Sequence, residues 1–147
     1  MDRINRTFQD LQDFVDRKKL TEKIIGCAYK VHKTLGAGFL EKVYENALAI
    51  ELTNNGVVVQ QQAPIPVFYD GKKVGEYFSD LLIENEVVCE LKACESLARE
   101  HEVQLVNYLA ATGKDIGLLI NFGKSVAVKR KFRNYTKPSD TQESCKS

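Results

Sequence analysis

The chain has 147 residues, with 21 Lys and Arg against 20 Asp and Glu, for a formal net charge of +1. That length suits one domain with a single core. A charge so near zero excludes a globally basic nucleic-acid coat protein and a polyacidic tail protein. With 44% hydrophobic and 28% charged residues, the chain reads as globular. No apolar run approaches the ~18 residues of a membrane span, and the N-terminus leads into no apolar signal core. A cytoplasmic location with no membrane partner is therefore expected. Cys27, Cys89, Cys94 and Cys145 follow neither a zinc nor a disulfide spacing, and reduced thiols are expected.

Residues 1–19 are polar but carry Phe8, Leu11, Phe14 and Val15 at helical spacing. They read as an N-terminal arm or short helix, a docking helix, a partner-binding arm or a frayed end, with packing on its own domain the preferred reading. Ile24, Cys27, Val31 and Leu35 then mark one face of a helix over 21–35, with Thr21 to cap it and Gly36 to end it. A second helix starts near Phe39 or Leu40 and runs to Asn54, where Asn54-Asn55-Gly56 stops it.

The period then switches to two. An extended segment over 57–59 leads to a strand over 65–69, whose Pro64 and Pro66 suit a sheet edge. Asp70-Gly71 is a hairpin turn. Strands over 74–83 and 87–92 flank Glu84-Asn85-Glu86. A helix over 95–112 ends at Gly113, and strands over 116–121 and 126–133 follow. The order ααβββαββ predicts an α/β (α+β) fold over 20–135, one central mixed sheet flanked by helices. Residues 136–147 read as a disordered tail.

The hairpin around residue 85 carries the chemistry. In a strand, residues two apart share a face, so Glu90 and Lys92 point the same way. The turn decides whether Asp80 joins them. A three-residue turn pairs Ile83 with Val87 and hence Asp80 with Glu90, ~5 Å apart at Cβ. A two-residue turn sends the two carboxylates to opposite faces. Directly opposed carboxylates repel, and a divalent cation is one reason to keep them together. Mg²⁺ favours carboxylate oxygens and leaves positions for water and phosphate. Lys92 could then position a water or stabilise charge on a phosphoryl group. The plainer alternative is a solvated hairpin face on which Lys92 neutralises Glu90.

Two helix pairs bear on that choice. Glu41 and Tyr44 share a face of the second helix, and Gln104 and Tyr108 share a face of the third. Each pair could aim a polar group and a tyrosine at the acidic surface, with Glu41 as a third carboxylate on the metal. The alternative for each is a boundary polar residue beside a core tyrosine. His32 could contact phosphate or could fix the Gly36-Ala37-Gly38 turn, and the structural reading is preferred.

Gly38-Phe39-Leu40-Glu41-Lys42-Val43-Tyr44 is a full G-x-x-E-x-x-Y string. With Asp80, Glu90-Leu91-Lys92 and Gln104-x-x-x-Tyr108, the chain resembles the GxxExxY family of the PD-(D/E)XK nuclease superfamily over residues 20–133. The resemblance implies a restriction-endonuclease-like core and Mg²⁺ or Mn²⁺ on Glu41, Asp80 and Glu90. It also implies catalytic positions at Glu41, Asp80, Glu90, Lys92, Gln104 and Tyr108. Ser79 stands where the superfamily's proline would precede the first acid.

The last strand places Lys129, Lys131 and Arg133 on one face, a candidate for nucleic-acid backbone contact; the alternative is a charged edge strand guarded against aggregation. The expected function is metal-dependent hydrolysis of nucleic acid, DNA before RNA. A non-catalytic nucleic-acid-binding module, or an oligomeric assembly module built on the same fold, is the competing reading.

Overall fold

A computed structural model describes the backbone of residues 2–133 and the side chains of residues 8–133. The expected tail, Lys137 and Cys145 lie outside the described residues. The chain forms α1 (Asp2–Leu35), α2 (Glu41–Asn54), β1 (Val59–Tyr69), β2 (Lys72–Ile83), β3 (Val87–Lys92), α3 (Arg99–Thr112), β4 (Ile116–Phe122) and β5 (Val126–Phe132). The five strands make one mixed sheet in the order β1-β2-β3-β4-β5. Only β3 and β4 pair in parallel, joined through α3. The mixed α/β fold expected from ααβββαββ is the one observed.

β3 and β4 are interior strands of the sheet and read as near-continuous apolar runs, because helices cover both of their faces. On one face α1 and α2 bury Ile24, Ala28, Tyr44, Leu48 and Leu52 against Leu81, Cys89 and Leu118. On the other, α3 lays Leu105 and Leu109 on Val88 and Leu119. Gly117 permits that close packing: a Cβ there would stand 2.8 Å from Leu105 Cδ1.

Several boundaries differ from expectation for local reasons. No Gly or Pro interrupts residues 2–25, so the expected arm and first helix are one 34-residue helix. Its N-terminal stripe does not pack on the domain: Phe8 is 68% exposed and Phe14 65%. β1 runs through both prolines because it is an edge strand. α3 starts at Arg99 rather than residue 95, because Asn121 holds the preceding loop. The Asn121 side chain accepts from Cys94 N (3.0 Å) and donates to Cys94 O (2.9 Å). Gly113 ends α3 with φ 69°, as a C-terminal glycine should.

The hairpin turns behave as read. Asp70-Gly71 joins Tyr69 to Lys72 with both φ values positive. Glu84-Asn85-Glu86 pairs Ile83 with Val87, the three-residue register.

The β1–β2 ladder shifts register between Val67 and Phe68, and strand alternation fails at Gln62. Gln62 lies in the left-handed region with φ 52°, and the consecutive side chains of Gln61 and Gln62 both reach Glu45 on α2. Beyond this break Val67 and Tyr77 face α3. Simple alternation instead puts Tyr77 with Leu81, toward α1 and α2.

Candidate active site

The β2–β3 ladder runs Ile83↔Val87, Leu82↔Val88, Leu81↔Cys89, and the same register sets Asp80 opposite Glu90. At that rung the Asp80 side chain replaces a main-chain acceptor: Oδ2 takes the N–H of Leu91 at 2.8 Å. Ser79, at the superfamily's proline position, is buried and donates from Oγ to Leu81 O at 2.8 Å. The two strands therefore part just beyond the acid.

Glu90 is only 8% exposed. Burial first, then the charge of Asp80 and a hydrogen bond with it, push its carboxyl up to about 9, while the Lys92 ammonium pulls the other way. Oε1 of Glu90 is buried with no hydrogen-bond partner. A buried carboxylate pair with an unsatisfied oxygen is costly unless something compensates it. Asp80 and Glu90 thus face one another, and the Lys92 charge acts on Glu90.

Glu41 does not join them. It stands exposed at the first residue of α2, and the charges acting on Glu90 are those of Asp80 and Lys92. Among the described residues no three His, Cys, Asp or Glu side chains gather closely enough to hold a metal ion. The helix acid that reaches the hairpin is Glu45, 4% exposed. It accepts from Lys42, Gln61 and Gln62, and the Gln62 amide also approaches Asp80 Oδ1 at 3.4 Å. Glu45 had a sequence signal: it lies in one stripe with Leu48, Ala49 and Leu52, an acid among core positions.

Tyr44 is not aimed at the acids either. It is fully buried, stacks on Phe122 with centroids 4.5 Å apart, and donates to Gly36 O at 2.6 Å, so it pins the glycine loop. His32 is structural, but it bonds Gly123 O at 2.7 Å rather than the Gly36-Ala37-Gly38 turn.

From α3, Tyr108 comes close to the pair. Burial first, then Glu90, Tyr77 and Asp80, push its hydroxyl up to about 12. Gln104, one turn earlier, is exposed and lines a cleft with Tyr108.

The basic strand is partly neutralised by the chain itself. Lys131 pairs with Glu102 at 2.6 Å and Arg133 with Asp115 at 3.0 Å. Lys129 is exposed beside Lys124 in the cleft next to Ser96. These pairings fit a charged edge strand as well as a phosphate-binding face.

A five-stranded mixed sheet whose hairpin parts around an Asp, with E-x-K on the next strand, defines a nuclease fold. The chain belongs to the PD-(D/E)XK nuclease superfamily, whose family model matches residues 18–134. No curated protein matches it. Among solved structures, the crystal structure of SSO0001 superposes with TM-score 0.53 at 17% identity, covering 70% of this chain and 55% of that one. An alkaline exonuclease (LHK-Exo) from Laribacter hongkongensis gives TM-score 0.48 at 15% identity, covering 70% of this chain and 58% of that one. The chain thus spans little more than half the length of either protein. Nucleases of this superfamily generally use divalent metal ions. The residues present fit such an ion as a two-carboxylate site: Mg²⁺ commonly binds through one or two carboxylates, with water and substrate phosphate completing its shell. The unsatisfied Glu90 oxygen and the Asp80 carboxylate would be its hard donors.

Proposed function

We propose that this chain is a divalent-cation-dependent nuclease of the GxxExxY group that hydrolyses phosphodiester bonds in nucleic acid. The observation that carries the reading is the buried Glu90 facing Asp80, with an oxygen of Glu90 unsatisfied and the Lys92 charge acting on it. Asp80 and Glu90 would hold Mg²⁺ or Mn²⁺, which when bound would supply Lewis acidity toward the phosphodiester and a lowered pKa for water. Lys92 places a fixed positive charge where the phosphoryl oxygens gain negative charge, and it costs no reorganisation at the moment of reaction. Glu45 is a positioning residue, since it grips Gln62, whose amide reaches Asp80. Glu41 is left outside the ligand set.

The test is cleavage of single- and double-stranded DNA and RNA in Mn²⁺. Lys92→Ala is expected to cut the rate about 100-fold or more while leaving cation binding measurable by calorimetry. Unchanged cleavage in Lys92→Ala rejects this site.

A specific observation also favours self-association: Phe8, Leu11, Phe14 and Val15 on α1 are all exposed, and an exposed apolar face marks an interaction surface. Sedimentation is expected to give a dimer or larger species that dissociates in Leu11→Asp. A wild-type monomer at all concentrations ends that reading. No helix among the described residues is long and apolar enough to cross a membrane.

A further inference from the structure

A cleft of about 640 Å³ lies between α3 and the β1–β2 hairpin. Its size falls in the range of small-molecule and nucleotide sites. The lining includes Val67, Tyr77, Arg99, Gln104, Asn107 and Tyr108. Tyr77 and Tyr108 meet there with ring centroids 4.9 Å apart and planes inclined at 50°. Their exposures differ: Tyr108 is 7% exposed, whereas Tyr77 leaves 46% of its surface open. Val88 packs on Leu105 and Leu109 of α3, and Glu90, two residues along the same strand, shares that face, so the cleft and the acid pair lie on the same side of the sheet.

We propose that this cleft seats an unpaired nucleotide flanking the phosphodiester at Asp80 and Glu90, its base stacked on the ring of Tyr77. The inference rests on the nuclease reading and deepens it by assigning single-stranded nucleic acid, DNA or RNA, as the class of substrate. An aromatic face recognises any base, because every base presents a π-surface. A base inside a duplex is already stacked and paired, so it reaches such a platform only if it is extruded. The lining is largely apolar, with Val103 and Ala111 beside the tyrosines, which suits the flat face of a base, and Arg99, Glu100, Gln104 and Asn107 supply its polar groups. Arg99 offers a cation for a phosphate or a base face, and Gln104 and Asn107 offer amides to base edges.

The chain contains no Trp, so Tyr77→Trp installs a single indole reporter at the platform. In chelating buffer, saturating single-stranded oligoadenylate, in deoxy and ribo forms, is expected to quench that indole, while a blunt duplex leaves it unchanged. Tyr77→Ala is expected to weaken single-strand binding about tenfold by fluorescence anisotropy, with duplex binding unchanged. An indole that does not respond when anisotropy shows the single strand bound overturns the proposal. So does an equal loss for both substrates in Tyr77→Ala, or no oligonucleotide binding at all. Cleavage by the wild type in Mn²⁺ separates the two claims. Hydrolysis with an unresponsive indole removes the cleft and keeps the nuclease; quenching without hydrolysis keeps the cleft and removes the nuclease.

Discussion

Asp80→Asn is expected to lower cation affinity by about 100-fold or more, since even residues that only support a metal ligand cost 10–100-fold. Hydrolysis should fall with it, as titration calorimetry with Mn²⁺ and a cleavage assay would show. Folding should survive. The asparagine side-chain oxygen can still accept the Leu91 N–H that Oδ2 accepts now, so the parting of the strands is preserved. The substitution also removes the charge that helps hold the Glu90 carboxyl high. Thermal stability in chelator should therefore stay level or rise while activity is lost, a common trade-off at active sites. Retained Mn²⁺ affinity in a folded Asp80→Asn protein would rule out the two-carboxylate site.

The second large effect is a pH dependence that reverses with metal. Buried and facing Asp80, Glu90 holds its proton up to about 9, against an ordinary value of 4.5. Between those values the folded chain binds a proton that the unfolded chain has released. The metal-free protein is thus favoured at low pH and loses stability as pH rises through the window from about 4.5 to about 9, with a slope of at most about 1.4 kcal/mol per pH unit. Melting temperatures in EDTA should fall across that range. Glu90→Gln, which has no proton to lose there, should flatten the fall. Mn²⁺ should stabilise the wild type more at the alkaline end, because a bound cation favours the ionised carboxylate. A flat wild-type profile in EDTA would show that Glu90 is not held protonated.

What was legible in the sequence follows from short-range rules. The Asp80–Glu90 register needed only the period of a strand and the length of the Glu84-Asn85-Glu86 turn, and Ile83↔Val87 is the pairing found. Gly113 and Asp70-Gly71 ended and turned the chain where their backbone freedom allows. The misses have physical causes too. Tyr77 was hidden because one left-handed residue, Gln62, breaks the alternation on which facing arguments depend. The G-x-x-E-x-x-Y string marks Glu41, which stands exposed, whereas the buried acid of that helix is Glu45. The stripe through Glu45, Leu48 and Leu52 held the better signal, since a carboxylate among core positions must find partners. The length of α1 was missed because a polar, unbroken stretch gives no mark where an arm should stop and a helix begin.

One consequence follows from a side chain standing in for the backbone. Asp80 holds Leu91 as a ladder carbonyl would, so this acid is also the last tooth of the zipper. A hairpin that closed one rung further would need that same N–H and would leave the carboxylate without its anchor. The length of the sheet and the placement of the Asp80 carboxylate are therefore one variable, and neither can drift without the other.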